Sequence, residues 1–319
     1  MPETEGTSER ELPRHPVRLV AQRTGLSSHV LRAWERRYGV VAPTRTVGGQ
    51  RLYTDADIER LKLLRTLVAR GGAISQLAQL SAADLARRVD AEGVGGAEGQ
   101  PNEAERELGA ARWRELMLMA IMGLDSAGLR KQLERGVVAL GVPQFLDRVV
   151  APVLVEIGLR WRRGELGIVH EHMATVVIRQ VLGWVRETAE TGEPAPALVV
   201  ATPPNQVHEG GAMLVAAAAA AEGWRGIYLG ADLPPAEIAA AALRTRARAV
   251  ALSVIHPPDD PALGAHLTAL RQALPAELPL LVGGGAAESY RGQIEAAEGE
   301  IVADLAELRS ALGEMVASA

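Results

Sequence analysis

The spacing of apolar positions changes character along the chain. Between residues 14 and 81 the apolar residues form short helical stripes, interrupted once by an extended stretch. Leu19, Val20 and Leu26 space a first short helix and turn, with Gly25 at the bend. Ser27 or Ser28 is a good N-cap for a second helix that runs through Tyr38 and is ended by Gly39. Val30, Leu31 and Trp34 form its buried face, leaving Arg32, Arg36 and Arg37 to project elsewhere. In PTRTVGGQRLYT two extended arms flank Gly48-Gly49, a hairpin signal in which glycine supplies positive φ. Thr54-Asp55-Ala56-Asp57 resembles a capping box with Asp in its fourth place, opening a helix striped by Leu61, Leu64 and Val68.

From about 108 to 190 the spacing is helical again, broken near Gly123-Leu124-Asp125, Gly141-Val142-Pro143 and Gly164-Glu165, which predicts four packed helices. After TGEPAP, short apolar runs alternate with helical segments. The candidate strands are 197–202, 226–230, 249–254, 279–282 and 300–302. Five strands separated by helices predict a parallel α/β sheet of doubly wound, flavodoxin-like type. The chain is therefore expected to be multi-domain: a disordered start over 1–13, a winged helix-turn-helix over 14–81, a linker over 82–107 whose DAEGVGGAEGQPNEAERE is rich in Gly and Glu, a four-helix bundle over 108–192, and the α/β domain over 196–319.

Charge sharpens this division. Residues 14–81 hold 12 Arg/Lys against 4 Asp/Glu, a balance of +8, so the remainder carries -13 of the net -5. A basic first module on an acidic chain points to a polyanionic partner at one end. The absence of cysteine excludes disulfides, iron–sulfur clusters and thiolate zinc sites, and agrees with a reducing cytoplasm. No apolar run approaches the roughly 20 residues of a membrane span, and the polar, acidic MPETEGTSER is not a signal peptide.

Read physically, the first module suits DNA: a helix enters the major groove while arginines beside it neutralise phosphates. Arg45 and Arg51 on the hairpin arms reach backbone or minor groove. The composition also allows a solvated basic helix beside an incidental hairpin. The residues LRAWERRYGVVAPTRTVGGQRLYTDADIERL resemble the MerR family, with the W-E-R-R-Y-G run, the P-x-R-x-x-G-G-x-R-x-Y wing and the acidic entry to the next helix in order. The resemblance implies a dimeric half-site reader of double-stranded promoter DNA, with Arg18, Arg32, Arg36, Arg37, Arg45, Arg51 and Tyr53 as DNA contacts and Trp34 in the core. Metal-sensing relatives use cysteine ligands, so the signal here is of another kind.

In the α/β segment, ATPPNQVHEGGAMLVAAAA directly follows the first strand. His208 falls on the loop at a strand's carboxyl end, where open α/β sheets bind ligands. Gly210 and Gly211 permit close approach of a bulky ligand. An imidazole there can ligate a metal, although a lone loop histidine is more often just that. Gln206-x-His208-x-x-Gly211 resembles the D/E-x-H-x-x-G signature of cobalamin-binding domains. Ser253 in S-V-I and Gly283-Gly284-Gly285 resemble that family's S-x-L/V and G-G elements. The resemblance implies that His208 is the lower axial ligand of cobalt, with the displaced nucleotide tail entering the sheet near Ser253, Gly283 and Gly284. An acid is usual where Gln206 stands. A neutral amide should make the imidazole less basic, so a more labile lower ligand is expected.

Between these modules, Trp161 is followed after nine residues by Glu171-His172. Alone, Trp161 reads as core and the histidines as solvent-facing. With the flanking modules it resembles the W-x9-E-H motif of the CarH-type (LitR) photoreceptor group, which combines a MerR-like domain, a four-helix bundle and a cobalamin domain. That resemblance implies adenosylcobalamin, with Trp161, Glu171 and His172 on its upper face. It further implies a DNA-bound tetramer in the dark, dissociation in light, and repression of carotenoid-type genes. One departure stands out: the histidine that usually follows the motif Trp is Arg162, and a guanidinium is a poor cobalt ligand.

Other readings stay open: a MerR-family regulator that senses the level of cobalamin or another tetrapyrrole, a corrinoid methyl-transfer protein, or a regulator of hydrophobic drugs. The DNA-binding module argues against the second of these, and His208, Ser253 and the glycines against the third. No catalytic triad, paired carboxylates or H-E-x-x-H spacing is present, so an enzyme is not expected. A homo-oligomer, dimer or tetramer, with no membrane association is expected.

Overall fold

The computed structural model describes residues 12–26, 28–46, 49–69, 74–91, 103–188 and 195–317. The candidate cap Ser27, the hairpin glycine Gly48, most of the expected disordered start and the 92–102 part of the expected linker lie outside the described residues. The chain forms two compact units, one joining the residues up to Trp113 with Arg130–Phe145, the other joining Arg114–Leu129 with Leu146–Ala319.

In the first unit, β1 (His15–Pro16) leads into α1 (Val17–Thr24) and α2 (Ser28–Tyr38). Gly25 ends α1 at φ 67°, and its N–H bonds Ala21 O at 2.9 Å, so the turn uses the left-handed conformation that glycine adopts freely. β2 (Thr44–Arg45) pairs antiparallel with β3 (Arg51–Tyr53), placing Arg45 opposite Arg51. β1 pairs with the other edge of β3, a strand too short to show in the sequence pattern. The capping box at the start of α3 (Asp55–Ala69) is reciprocal: Thr54 N–H donates to Asp57 at 2.9 Å, and Asp57 N–H donates to Thr54 Oγ1 at 3.0 Å. Val20, Leu31, Trp34, Ile58, Leu61 and Leu64 form the core.

After α4 (Ile74–Leu77), α5 (Ala82–Ala91) occupies residues expected to be linker. Ser81 caps it by accepting the Asp84 N–H at 3.1 Å, and Leu85 anchors it in the core. Helices α6 (Glu103–Met122), α7 (Ser126–Leu140), the short α8 (Val142–Phe145), α9 (Ala151–Arg162) and α10 (Ile168–Thr188) follow, with the boundaries between the units falling inside α6, inside α7 and at the end of α8. Between α8 and α9, Leu146–Val150 form a π-helical turn. Pro152, in the first turn of α9, has no N–H to give the carbonyl of Arg148 four residues back, and Arg114 Nη1 takes that carbonyl at 2.6 Å.

The second unit carries the predicted sheet. β4 (Ala197–Ala201) pairs with β5 (Arg225–Gly230) on one side and β6 (Ala249–Ser253) on the other; β7 (Leu280–Gly283) and β8 (Gly299–Val302) extend it, all parallel, in the order β5-β4-β6-β7-β8. The connection from β4 runs one way and that from β5 returns past β4, so the winding reverses between β4 and β6. Helices α12 (Pro235–Thr245), α13 (Leu263–Ala273) and α14 (Arg291–Ala296) cover one face through Ile238, Leu263, Leu267, Leu270 and Ile294, which pack with Val199, Val250 and Val282. The other face meets α11 (Gly210–Ala221), which also touches α10 and α15 (Leu305–Ala317). The alanine run of α11 is explained by this closeness. A Cβ on Gly226 of β5 would stand 2.5 Å from the Ala216 carbonyl, so glycine is required there, and Ala216 to Ala220 are all buried.

Asp55 ties β1, α1 and α3 together. It accepts from Arg14 at 2.5 Å, His15 at 3.0 Å and Arg23 at 3.1 Å, and these hydrogen bonds, that from Arg14 first, hold its carboxyl down at about 2. A depressed carboxylate stabilises the fold above its unfolded pKa and stops doing so as pH falls through its folded pKa. Asp55→Asn should therefore lower the melting temperature at pH 7. The gap to the parent should close between about pH 4, the ordinary Asp range, and about pH 2. Thermal denaturation across that window checks this.

Candidate functional site

The arginines expected on DNA divide into two groups. Arg18, Arg36 and Arg45 are exposed, and Arg37 is exposed with Nη1 3.9 Å from Glu134. Arg32 is half-buried. Arg51 turns inward, its Nε bonded to both Glu35 oxygens at 3.1 and 2.9 Å. Tyr53 is 0 % exposed, with its hydroxyl 3.4 Å from Glu35 and its acidity suppressed by burial and then by that carboxylate. The expectation that Tyr53 touches DNA is thus corrected: its ring is core. Arg51 joins the hairpin to α2 through Glu35, fixing the wing against the helix, because a half-buried carboxylate gains from a charged partner and the bonds to Arg51 supply it.

In the second unit the chemistry gathers where the sheet winding reverses, the position at which open α/β sheets leave a crevice. The loop after β4 carries His208 and the end of β6 carries Ser253. Trp161, on the last turn of α9 and 40 % exposed, meets His208 there. The Trp161 and His208 ring centroids lie 6.4 Å apart in an edge arrangement. His256, which the sequence reading passed over, completes the group: its ring is 6.4 Å from Trp161 and 5.9 Å from His208. Its only sequence signal is a histidine three residues beyond Ser253 at the same carboxyl edge.

Gln206 does not serve His208. It is 1 % exposed, and its amide is spent on the neighbouring loop: Oε1 accepts the N–H groups of Ile255 at 2.8 Å and His256 at 3.0 Å, while Nε2 donates to Pro257 O at 3.1 Å. The expected weakening of the imidazole through Gln206 has no contact to act through. The amide is required because one end must accept and the other must donate, which an ionised carboxylate cannot do.

The crevice offers a polar ligand group a partner. Ser253 Oγ is buried and has no hydrogen-bond partner among the described residues, and a buried hydroxyl without one is costly until a ligand atom supplies it. A Cβ on Gly211 would sit 2.5 Å from that Oγ, so glycine alone keeps the cradle open. Gly284 has a different reason from the one expected. At φ +106° its Cβ would stand 2.4 Å from the Val254 carbonyl, and a Cβ on Gly283 would stand 2.8 Å from the Val302 carbonyl. Both glycines admit neighbouring backbone, while Gly285 faces open space.

Glu171 and His172 stay within α10 among the described residues: Glu171 accepts from Thr175 at 2.9 Å, and His172 Nδ1 lies 2.8 Å from Ile168 O. His170 Nδ1 accepts the Gly167 N–H at 3.1 Å, capping the helix. A further link was not legible. Glu209, next to His208, pairs with Arg179 of α10 and accepts from the Tyr228 hydroxyl. Burial raises the pKa of Tyr228 while Arg179 and Arg186 oppose that shift, so the phenol donates to the carboxylate.

Comparison with known proteins agrees with both halves. Residues 16–84 match the MerR HTH family regulatory protein, residues 196–314 the B12 binding domain, and residues 113–186 a second family described as a B12 binding domain. The HTH-type transcriptional repressor CarH of Myxococcus xanthus is 35% identical over 279 residues, 88% of this chain and 91% of that protein. The HTH-type transcriptional repressor CarA of the same organism is 30% identical over 276 residues, 86% and 88%. Among solved structures, the monomethylamine corrinoid protein of Methanosarcina barkeri superposes with a TM-score of 0.51 at 16% identity, over 64% of this chain and 98% of that one, a likeness of fold.

Two expectations test these assignments. Gln206→Glu loses the donor to Pro257 O and should cost roughly 1–3 kcal/mol of stability at neutral pH. The loss should shrink in acid, where the protonated carboxyl donates again; denaturant titrations at two pH values measure it. Arg36→Ala should weaken DNA binding and reduce the salt dependence by about one phosphate contact. Tyr53→Phe, altering a buried ring, should leave the salt slope unchanged.

Proposed function

Since the chain belongs to the CarH-type family of B12-dependent MerR transcriptional regulators, we propose that it is a light-responsive, adenosylcobalamin-dependent repressor whose grip on promoter DNA follows its oligomeric state. The observation that carries the reading is the ring group at the winding reversal, where Trp161 faces His208 beside the unpartnered Ser253 hydroxyl. His208 would hold cobalt from below through one ring nitrogen, Ser253 and Gly211 would receive the nucleotide tail, and Trp161 would cover the opposite side. When bound, adenosylcobalamin supplies a cobalt–carbon bond that green light breaks.

The chain's own part is mechanical. Trp161 ends α9, and Glu209, one residue beyond His208, is held by Arg179 of α10. A group that enters between Trp161 and His208, whose rings are in edge contact, would have to part them and would therefore bear on two helices of the bundle. Such coupling requires a difference in affinity for the cofactor between assembly states; the cofactor then shifts assembly by the same factor, and DNA binding follows where DNA prefers one assembly state. Arg18, Arg36 and Arg45, exposed on the basic module, would meet phosphates.

Arg162 favours a second reading. Exposed beside Trp161, it cannot act as a nitrogen ligand after illumination, which leaves room for a regulator that responds to corrinoid level. Absorption spectra and size-exclusion chromatography with adenosylcobalamin, in the dark and after green light, separate the two. A larger dark assembly that shrinks on illumination supports the photoreceptor. Bound corrinoid with one size in both conditions overturns it in favour of level sensing.

A further inference from the structure

We propose that His256 is a second imidazole of the corrinoid site, placed to take the axial position on the metal when His208 releases it; this rests on the corrinoid reading above. Position is the first ground. His208 follows β4 and His256 follows β6, the two strands that flank the winding reversal, so both rings stand over one crevice. Their centroids are 5.9 Å apart at 62°, and each meets the edge of Trp161 at 6.4 Å.

The second ground is how His256 is held. Its N–H and that of Ile255 both donate to the buried Gln206 Oε1, so its backbone is anchored to the loop that carries His208. Third, the side chain is exposed and its ring makes no hydrogen bond among the described residues. By contrast, His170 and His172 on α10 each commit a ring nitrogen to backbone.

The exchange is balanced. The nitrogen–cobalt bond to His208 breaks and one to His256 forms; each neutral imidazole donates a lone pair from one nitrogen and keeps its proton on the other. No electron is transferred. Two donors beside one crevice let the chain keep the corrinoid while its lower bond is broken.

Cobinamide, a corrinoid without the nucleotide base, is the probe, because any axial nitrogen must then come from the protein. The full chain is loaded in imidazole-free buffer, reduced to Co(II), and read by electron paramagnetic resonance with and without 15N-histidine labelling. Nitrogen splitting that responds to the label is expected in the parent chain, in His256→Ala and in His208→Ala, and should vanish in His208→Ala/His256→Ala. Should His208→Ala fail to fold, His208→Asn takes its place. A folded His208 variant that binds cobinamide without nitrogen splitting, or no longer binds it, overturns the proposal alone. A parent chain that binds neither cobinamide nor cobalamin overturns the corrinoid reading and this proposal with it.

Discussion

The buried amide of Gln206, with an exposed hydrogen bond from Asn205 to Asp260 beside it, ties together the two loops on which the site depends. At the winding reversal the chain leaves β4 and β6 in different directions, and their backbone groups would otherwise face an open crevice. Gln206 satisfies two N–H groups and one carbonyl across that gap. With that clamp in place, His208 and His256 are brought to a common edge, Ser253 is left with a free hydroxyl, and Gly211 can approach it. Buried polar groups of this kind add specificity when every member is satisfied, and each end of the Gln206 amide is.

The same edge is where the helical segment joins the sheet. α11 starts at the His208 loop and runs beneath α10, close enough to the sheet that glycine and alanine are the residues that fit. Glu209 sits at its head and bonds Arg179 and Tyr228. A ligand held by His208 therefore acts next to a carboxylate that already links three elements. The DNA-reading unit shows a parallel economy: Glu35, Arg51 and Tyr53 stiffen the wing against α2, leaving Arg36 and Arg45 exposed.

Much of the fold was legible because its signals are local. The five parallel strands lie within a residue or so of the predicted runs; β4, β6 and β7, buried on both faces, read as continuous apolar sequence. The capping box and the hairpin depend on residues a few positions apart, and both formed. What was missed depends on distant partners. β1 exists through pairing with β3, and the π-helical turn through Pro152 and the distant Arg114. α5 was hidden because its stretch adjoins one rich in Gly and Glu. In the site, His208, Ser253 and Trp161 were legible as motif positions. Their relation to His256, and the diversion of Gln206 away from His208, were not, because both depend on how the β6 loop lies against the β4 loop. Tyr53 carried a motif expectation that its burial overrides.

The central claim is that a corrinoid is held at the carboxyl ends of β4 and β6 by an imidazole of this chain. A crystal of the full chain grown with cobalamin, with anomalous scattering collected at the cobalt edge, locates the metal directly. The account requires the cobalt peak over that crevice, bonded to a histidine nitrogen of the β4 or β6 loop, with the nucleotide tail near Ser253. A cobalt peak elsewhere, or one whose lower ligand is the cofactor's own base, would contradict it.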